Sequence, residues 1–308
     1  MVVRLGLGKV TRDVFERCVL PYIPLEGNLE LDGSTVNLQG RTVIAHSPSI
    51  GVPPEPLGFF AFHYAACNVA VRFGKPKYIS TGIYLPLNST EEELVTIVKS
   101  LGSEAIKYGV KIVAGQTATY YGLQIPFVST TCFGEVVRVS AKPTVGDKVF
   151  LVGKVGGEAV WLKRLSLGRN TDNWRNFTSY PAILGLQNVE GVKVMHDVSE
   201  GGVKGALAEV LSDIQLGLSF SSENLHYAED TIELEQDVLR APTYGSLIVA
   251  ASHNATESIL NTCNKIGYQC SELGALLKRT GLRVNGDLVE PNARGYIDEL
   301  YGAFKKQP

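Results

Sequence analysis

A histidine, an aspartate and a glutamate lie where a predicted strand meets a predicted helix. The segment Met195-His196-Asp197-Val198-Ser199-Glu200-Gly201-Gly202 precedes apolar residues of helical spacing at 203–211. In open α/β arrangements ligands bind at the carboxyl ends of strands, so His196, Asp197 and Glu200 are candidate acid–base groups. The alternative is structural, because a strand-end aspartate can simply cap the turn that follows it.

Two glycine pairs at predicted strand-to-helix junctions are candidate phosphate sites. Gly156-Gly157 follows a strand and Lys154, whereas Gly201-Gly202 follows Ser199, a predicted N-cap. Backbone N–H groups at a helix start attract anions, and glycines allow close approach. The spacing matches neither a Walker loop nor a complete dinucleotide fingerprint. Glycines that only pack within tight turns remain the alternative.

The predicted secondary structure around these residues alternates between strands and helices. Residues 57–73 are apolar on most sides, which predicts a buried helix. Ser89 and Glu92 form a capping-box pattern that opens another helix. The polar, Asn-rich stretch 168–179 predicts a surface loop. Further helices are predicted at 11–20, 158–165, 203–211 and 255–266, and strands at 41–45, 78–85, 110–114, 125–137, 148–152, 192–195, 216–220 and 246–251.

The best candidate for a domain boundary is the stretch 141–147. It is polar, carries Pro143 and Gly146, and precedes a fresh strand. We therefore predict two α/β domains, residues 1–143 and 144–308. A chain of 308 residues is long enough for two cores.

Composition narrows the class of protein. Hydrophobic content of 44%, charged content of 19% and a net charge of −2 are typical of a globular protein and give no reason to expect nucleic acid or membrane as a partner. The longest apolar stretch, 58–71, is too short to span a bilayer, and the start of the chain does not resemble a signal peptide. We expect a cytoplasmic protein. The five scattered cysteines include no C-x-x-C pair, so we expect reduced thiols and neither zinc nor a disulfide framework.

Several short motifs, taken in order, resemble one family. They are Gly8-Lys9-Val10, Phe62-His63, Gly74-Lys75-Pro76, Gly115-Gln116-Thr117, the segment from His196 to Gly202, and Asp298-Glu299-Leu300. This set is similar to the AIR synthase superfamily, and within it to HypE-like hydrogenase-maturation proteins. The resemblance implies a two-domain α/β (α+β) AIR-synthase-like fold, whose N-terminal sheet forms a dimer barrel. It also implies a homodimer, ATP held with Mg²⁺ by Asp and Glu side chains, and a maturation-factor partner.

The chain departs from that family where carboxylates are usual. Gly33-Ser34-Thr35 stands at an early acidic segment, and His46 or Ser47 stands at the next aspartate. Asn68 and Gln116, the latter followed by Thr117, stand at two further acidic positions. Mg²⁺ prefers carboxylate oxygens that it can bridge to phosphates. We therefore expect a pocket around His46, Asn68 and Gln116 that binds Mg-ATP weakly or not at all, with no metal ligand among these residues.

Cysteine positions separate this chain from two branches of the family. HypE proper carries a C-terminal cysteine for the thiocarboxamide, whereas no cysteine follows Cys270 here, so a carrier role is not expected. Cys18 lies in a helical pattern without a Gly-rich loop, which does not favour selenophosphate synthesis.

Three hypotheses remain. The first is a HypE-like ATP-binding enzyme with an altered site and ligase- or transferase-like chemistry. The second is a catalytically silent dimer that binds a ligand or partner. The third is an enzyme of another class that uses His196, Asp197 and Glu200 as acid–base groups.

Overall fold

The computed structural model describes residues 3–25, 36–169, 172–235 and 237–290. The acidic-segment position 33–35, the motif at 298–300 and the tail 301–308 lie outside the described residues. The chain divides into two compact units, residues 1–138 and 139–308.

The N-terminal unit contains a five-stranded sheet in the order β1-β4-β3-β5-β2. Neighbouring strands run antiparallel except for β3 and β4, which are parallel. The elements are β1 (Gly8–Lys9), α1 (Arg12–Cys18), β2 (Thr42–Ile50), α2 (Pro54–Ala70), β3 (Gly74–Pro86), α3 (Glu91–Tyr108), β4 (Lys111–Tyr120) and β5 (Phe127–Val136).

Helix α2 is the buried helix that the sequence predicts. It packs against β2, β3 and β5 on one side and against α3 on the other. Because it is enclosed on both sides, its apolar residues surround the whole helix instead of forming one stripe. We call the sheet surface under α2 the inner face and the opposite surface the outer face. In β5, Val128, Thr130 and Cys132 are buried on the inner face, and the residues between them are more exposed.

The capping-box prediction is displaced by one residue. The box that opens α3 is formed by Thr90 and Glu93, not by Ser89 and Glu92. The Glu93 amide donates to Thr90 Oγ1, and the Thr90 amide donates to Glu93 Oε2 at 2.8 Å. Both pairs have the same spacing, so the sequence pattern alone does not distinguish them.

The C-terminal unit contains two sheets. One is antiparallel in the order β10-β6-β9-β7, and the other has the order β12-β11-β8 with β8 and β11 parallel. The elements are β6 (Lys148–Val152), α4 (Gly157–Ser166), α5 (Tyr180–Leu186), β7 (Val192–Asp197), α6 (Gly202–Ile214), β8 (Gly217–Phe220), β9 (Leu247–Ala251), α7 (Thr256–Lys265), β10 (Cys270–Ala275), β11 (Gly281–Val284) and β12 (Asp287–Leu288).

The core of this unit joins both sheets to α6. Leu207 of α6 packs in one apolar cluster with Leu218 of β8, Ile248 of β9 and Leu282 of β11. Every residue of β9 is buried, because this strand lies between β6 and β7 and is covered on both faces. The cluster therefore fixes the start of α6 and the ends of the neighbouring strands.

Two local predictions are wrong. The stretch 168–179 is not simply a surface loop, because Asp172–Asn176 forms a 3₁₀ turn that buries Trp174. Burial of one large aromatic side chain outweighs the polar character of its neighbours. Ser199 is not the N-cap of α6, since Gly201 takes that position without a side-chain bond.

In the described part of the chain, no helix combines the length and apolarity needed to cross a membrane.

Candidate functional site

The inner face of the N-terminal sheet brings two predicted site residues together. Ser47 of β2 lies beside Asn68 of α2, and Asn68 Nδ2 donates to Ser47 Oγ at 2.9 Å. His46 and Ser47 point to opposite faces because side chains alternate along a strand. Of these two residues, Ser47 is therefore the one that shares a site with Asn68.

Further hydroxyl groups surround this pair. Ser47 is in register with Thr130 of β5, and Thr130 with Thr81 of β3. The hydroxyls of Ser49 and Thr130 are buried without a hydrogen-bond partner among the described residues. A buried hydroxyl without a partner costs about 1–3 kcal/mol. We call Ser47, Ser49, Asn68, Thr81 and Thr130 the neutral cluster.

Thr117 lies on the same face but further across the sheet. It is in register with Ile83 of β3, which is in register with Val128 of β5 and so with Ser49 of β2. Thr117 is buried. Two apolar side chains, those of Ile83 and Val128, separate it from Ser49.

The predicted pocket around His46, Asn68 and Gln116 does not form. His46 lies on the outer face, where its ring contacts Thr131 Oγ1 at 2.8 Å and Ser129 Oγ at 3.2 Å. Gln116 is in register with Gly82 and so with Ser129, which puts it on the outer face too, and it donates to Tyr120 Oη at 2.7 Å. Asn68 is on the inner face, so strand alternation separates it from the other two.

The neutral cluster does not fit Mg²⁺. Its donors are hydroxyl and amide oxygens, which do not balance the charge of a divalent ion once its water is removed. Among the described residues, no group of three or more His, Cys, Asp or Glu side chains is arranged to hold a metal. No catalytic step through Mg²⁺ follows from these residues.

In the C-terminal unit, the two glycine-bearing junctions meet a third loop, residues 241–246. The Gly156 amide donates to Thr243 Oγ1 at 3.1 Å, and the Thr243 amide donates to Ser199 O at 3.3 Å. Ser246 closes the arrangement by donating from Oγ to Lys154 O at 2.9 Å. The residues that the sequence placed at two separate candidate phosphate sites are therefore linked through one loop.

The glycines at these junctions are tightly packed against protein atoms. Gly202 has φ +62°, and a Cβ there would lie 2.6 Å from Leu239 O and 2.7 Å from Ala241 O. A Cβ on Gly156 would lie 2.7 Å from a Val238 methyl group. The Gly202 amide is also engaged, since it donates to Ser199 O at 3.0 Å. Packing therefore accounts for these glycines, and anion binding would need the amides that follow Gly156, including that of Gly157.

The three proposed acid–base residues do not form one catalytic group. His196 Nε2 contacts Glu209 Oε2 of α6 at 3.0 Å. Asp197 is buried on the other side of β7, and burial raises the pKa of its carboxyl group, with the His196 charge acting in the opposite direction. Glu200 is exposed beyond the strand end. The geometry gives the third hypothesis no support.

Sequence reasoning missed Glu158, the second residue of α4. Its carboxyl group is buried and accepts a hydrogen bond from the Tyr244 amide at 2.7 Å. Burial raises the pKa of Glu158 to about 7, the Tyr244 amide lowers it and the charge of Glu200 raises it further. The sequence feature that could have indicated Glu158 is a carboxylate directly after a Gly-Gly pair at a helix start. Its hydrogen bond to residue 244 cannot be seen from the sequence.

A cavity of about 400 Å³ in the same unit contains none of the predicted site residues. Its charged lining includes Lys204, Arg240, Asp237 and Asp287. Lys204 and Arg240 both pair with Asp237, at 2.5 Å and 3.7 Å. These charges therefore balance one another within the cavity wall.

Comparison with solved structures identifies the fold. The hydrogenase maturation protein HypE of E. coli superposes with a TM-score of 0.79 at 22% identity, covering 92% of this chain and 97% of that one. A HypE in complex with ATP gives 0.74 at 21% identity over 90% and 94% of the two chains. A chain from a HypE–HypF complex gives 0.70 at 21% identity over 79% of this chain and 87% of that one. At these identities the likeness shows the architecture alone.

Sequence comparison defines the family. The family model for the AIR synthase related protein N-terminal domain matches residues 33–136, and the model for the C-terminal domain matches residues 144–287. This chain belongs to the AIR synthase related family, which confirms the resemblance seen in its motifs. Among curated relatives, carbamoyl dehydratase HypE of Escherichia coli K12 is 26% identical over 249 residues, 76% of this chain and 74% of the relative.

Proposed function

We propose that this chain is a HypE-like member of the family, with domains 1–143 and 144–308, in which neutral groups have replaced the carboxylates of the Mg-ATP site. It would bind a nucleotide or phosphate ligand as a cytoplasmic homodimer. The observation that carries the proposal is the hydrogen bond between Ser47 and Asn68. Two residues from different elements, both at positions where relatives are expected to carry acidic groups, meet at one point of the inner face.

The chemistry of that point argues for weak metal-dependent binding. An amide that donates to a hydroxyl is satisfied without a metal ion. Two carboxylates in the same places would repel each other and so would favour a bridging cation. A nucleotide bound here would depend on neutral hydrogen bonds and backbone amides. Relatives that retain the carboxylates should therefore bind Mg-ATP at least about tenfold more tightly, which is roughly 1.4 kcal/mol.

Calorimetry with ATP, in the presence and absence of Mg²⁺, tests this proposal. The wild type should show little dependence on Mg²⁺. The double variant S47D/N68D restores two facing carboxylates, and we expect its Mg-dependent affinity for ATP to rise about tenfold or more. N68D and Q116D are a matched pair of single variants, because each adds one negative charge, N68D on the inner face and Q116D on the outer face. N68D should raise the Mg-dependent affinity and Q116D should leave it unchanged.

Micromolar, Mg-dependent binding of ATP by the wild type would contradict the proposal that the Mg-ATP site is altered. Equal gains in N68D and Q116D would show that added charge, and not its position, determines affinity. Absence of nucleotide binding in all variants, with the fold and the dimer intact, would favour the second hypothesis of a silent binding protein.

We also propose that any surviving phosphate site lies at the start of α4 or α6. Support comes from the first turn of α4, where the Gly157 amide has no partner among the described residues, and from exposed Lys154. A crystal soaked in sulfate should show an anion within hydrogen-bond distance of the Gly157 amide. Well-ordered density without an anion at either helix start would rule this site out.

The outer face supports the homodimer. Ile44 is 62% exposed on this surface, and Ile50 and Tyr120 are also exposed. Sedimentation should therefore show a dimer at micromolar concentration, and Ile44→Lys should shift it to the monomer. Ile106 on α3 is equally exposed at 62%, so Ile106→Lys is a matched control that should remain dimeric. A monomeric wild type would contradict the dimer.

The partner protein is proposed by analogy with the HypE–HypF complex. We propose that this chain binds a maturation factor of the HypF type. A purified HypF protein mixed with this chain should co-elute in size-exclusion chromatography if the proposal holds. A complex of moderate affinity forms at concentrations on the order of 10 micromolar. Separate elution of the two proteins at this concentration would contradict the proposal.

A further inference from the structure

The cavity of about 400 Å³ in the C-terminal unit has the volume of a small-molecule site. Ligand pockets in proteins span roughly 300–1,000 Å³, whereas one water molecule occupies only about 30 Å³. We call it the α6 cavity, because Lys204 in the first turn of α6 lines it together with Asp237, Arg240 and Asp287. A ligand that fills this volume is a small organic molecule and not a single ion.

Hydrogen bonds hold part of the cavity wall in place. The Ser222 amide donates to Asn285 Oδ1 at 2.9 Å, and the Ser222 hydroxyl accepts from Asn285 Nδ2 at 2.9 Å. Tyr227 Oη donates to Ser222 O at 3.0 Å. The Leu239 amide donates to Asp237 Oδ1 at 3.1 Å, which fixes the neighbouring turn. Because these groups bond to one another, the wall is ordered before a ligand enters, which lowers the cost of binding.

Two cations meet one carboxylate on one side of the cavity. Lys204 Nζ lies 2.5 Å from Asp237 Oδ2, and Arg240 Nε lies 3.7 Å from the same oxygen. The Lys204 and Arg240 side chains are only 17% and 19% exposed. An ammonium group has three N–H donors, and in the described part of the chain Lys204 donates only to Asp237. Among the lining residues, this side therefore has one net positive charge and N–H donors left for a carboxylate.

Asp287 supplies a negative charge elsewhere in the lining. It lies on β12 and is exposed, so it stands where the cavity opens to solvent. Lys204 and Arg240 pair with Asp237 and not with Asp287. The four charges of the lining sum to zero, but their positive and negative sides are separate. The lining also includes apolar side chains that are buried, namely Leu239, Val284 and Val289.

We propose that the α6 cavity binds a small zwitterion with an apolar body, of the class of the apolar α-amino acids. Its carboxylate lies against Lys204 and Arg240, its ammonium group against Asp287 and its side chain against the apolar wall. A plain anion would leave Asp287 without a partner, and a plain amine would leave the positive side without one, so both are disfavoured. The proposal does not rest on nucleotide binding, because the neutral cluster belongs to the other unit.

Calorimetry on the full chain tests the proposal with L-leucine and two analogues that each lack one charged group. Isocaproate keeps the carboxylate and the apolar body of leucine, and isoamylamine keeps the ammonium group and the apolar body. We expect leucine to bind with a dissociation constant of about 1 mM or lower, and each analogue to bind at least about tenfold more weakly. Glycine has both charges without an apolar body and should also bind more weakly than leucine.

Two substitutions test the charged ends separately. Lys204→Met should weaken leucine binding at least about tenfold without weakening isoamylamine, which has no carboxylate. Asp287→Asn should weaken leucine binding without weakening isocaproate, which has no ammonium group. Lys148→Met is the matched control, because Lys148 is also ion-paired, with Glu272 at 2.6 Å, and is 23% exposed, but lies outside the cavity lining. It should leave leucine binding unchanged.

Absence of binding by leucine, valine, isoleucine and methionine at about 10 mM would overturn the proposal. Equal binding of leucine and isocaproate would overturn it too, since the cavity would then recognise an anion only. Unchanged leucine affinity in the folded Lys204→Met and Asp287→Asn proteins would put the ligand outside the cavity, with the same consequence. Asp287 is exposed, so its variant keeps the test decisive if Lys204→Met does not fold.

Discussion

The candidate sites of the two units differ in the kind of polar group that they bury. On the inner face of the N-terminal sheet, the hydroxyls of Ser49 and Thr130 are buried near the half-buried amide of Asn68, and carboxylates are absent from the neutral cluster. At the glycine-bearing junctions of the C-terminal unit, the carboxyl groups of Glu158 and Asp197 are buried. Neutral groups need only hydrogen bonds to be buried, whereas a carboxylate group needs donors or a proton.

This difference determines which of the two candidate sites can change its charge. The neutral cluster does not change its charge with pH or metal concentration. Glu158, by contrast, titrates near neutral pH and so changes the charge of its loop under ordinary conditions. Of the two candidate sites, only the C-terminal one is therefore expected to change its charge with pH, and three substitutions test this contrast.

The largest effect should come from Gly202→Ala. A Cβ at this position would clash with Leu239 O and Ala241 O, and φ is +62°. Strain and clash together should lower the free energy of unfolding by about 4 kcal/mol, measured by urea denaturation.

Gly205→Ala is the matched control in the same helix. A Cβ there has no atom within 4 Å, so helix propensity should raise stability by about 0.5–1 kcal/mol. Equal effects of the two substitutions would show that the junction at Gly202 can relax, and that its packing does not hold the loops together.

The second effect concerns Glu158. Its pKa in the folded state is about 7, against 4.5 as the ordinary value, so the folded state binds more protons between these pH values. Stability from this group is fully present below pH 4.5 and is lost as pH rises through 7. The loss is about 3 kcal/mol, from roughly 1.4 kcal/mol per pKa unit.

Glu158→Gln should abolish this dependence. The Gln oxygen can still accept a hydrogen bond from the Tyr244 amide. As pH rises from 4.5 to 8, the free energy of unfolding of the variant should therefore increase by about 3 kcal/mol relative to that of the wild type. Urea unfolding at both pH values measures the difference. If the two proteins differ by the same free energy of unfolding at both pH values, Glu158 is ionised throughout this range.

The smallest effect should appear in the neutral cluster. Thr130 Oγ1 is buried without a partner among the described residues, so Thr130→Val removes an unsatisfied hydroxyl at nearly constant shape and should raise stability by about 1 kcal/mol. Thr119 is also fully buried, but its hydroxyl donates to Gly6 O.

Thr119→Val should therefore lower stability by about 1 kcal/mol. The two variants carry the same chemical change at the same burial, and thermal unfolding compares them directly. Destabilisation by Thr130→Val would show that its hydroxyl has a partner, such as a bound water or a ligand, and the cluster would then be a binding site for that group.

Much of the architecture was readable from the sequence because it depends on local patterns. Apolar periodicity predicts α2, α4, α6 and α7, and short apolar runs predict most of the strands. Helix α5, strand β1 and strands β10 to β12 were not predicted, since short elements carry little periodicity. The family was also readable, because glycine and proline motifs keep their order along the chain whatever their contacts are.

The sequence alone determined which residue types stand at the candidate sites, including Asn68, Gln116 and the glycine pairs. Which of them meet depends on the folding of the whole chain. Strand alternation puts Ser47 with Asn68 and sends His46 and Gln116 to the other face, while a bond across 86 positions joins Glu158 to Tyr244. The physical reason is that a site is built from residues of different elements, and their proximity depends on strand register and helix packing, which no short stretch of sequence encodes.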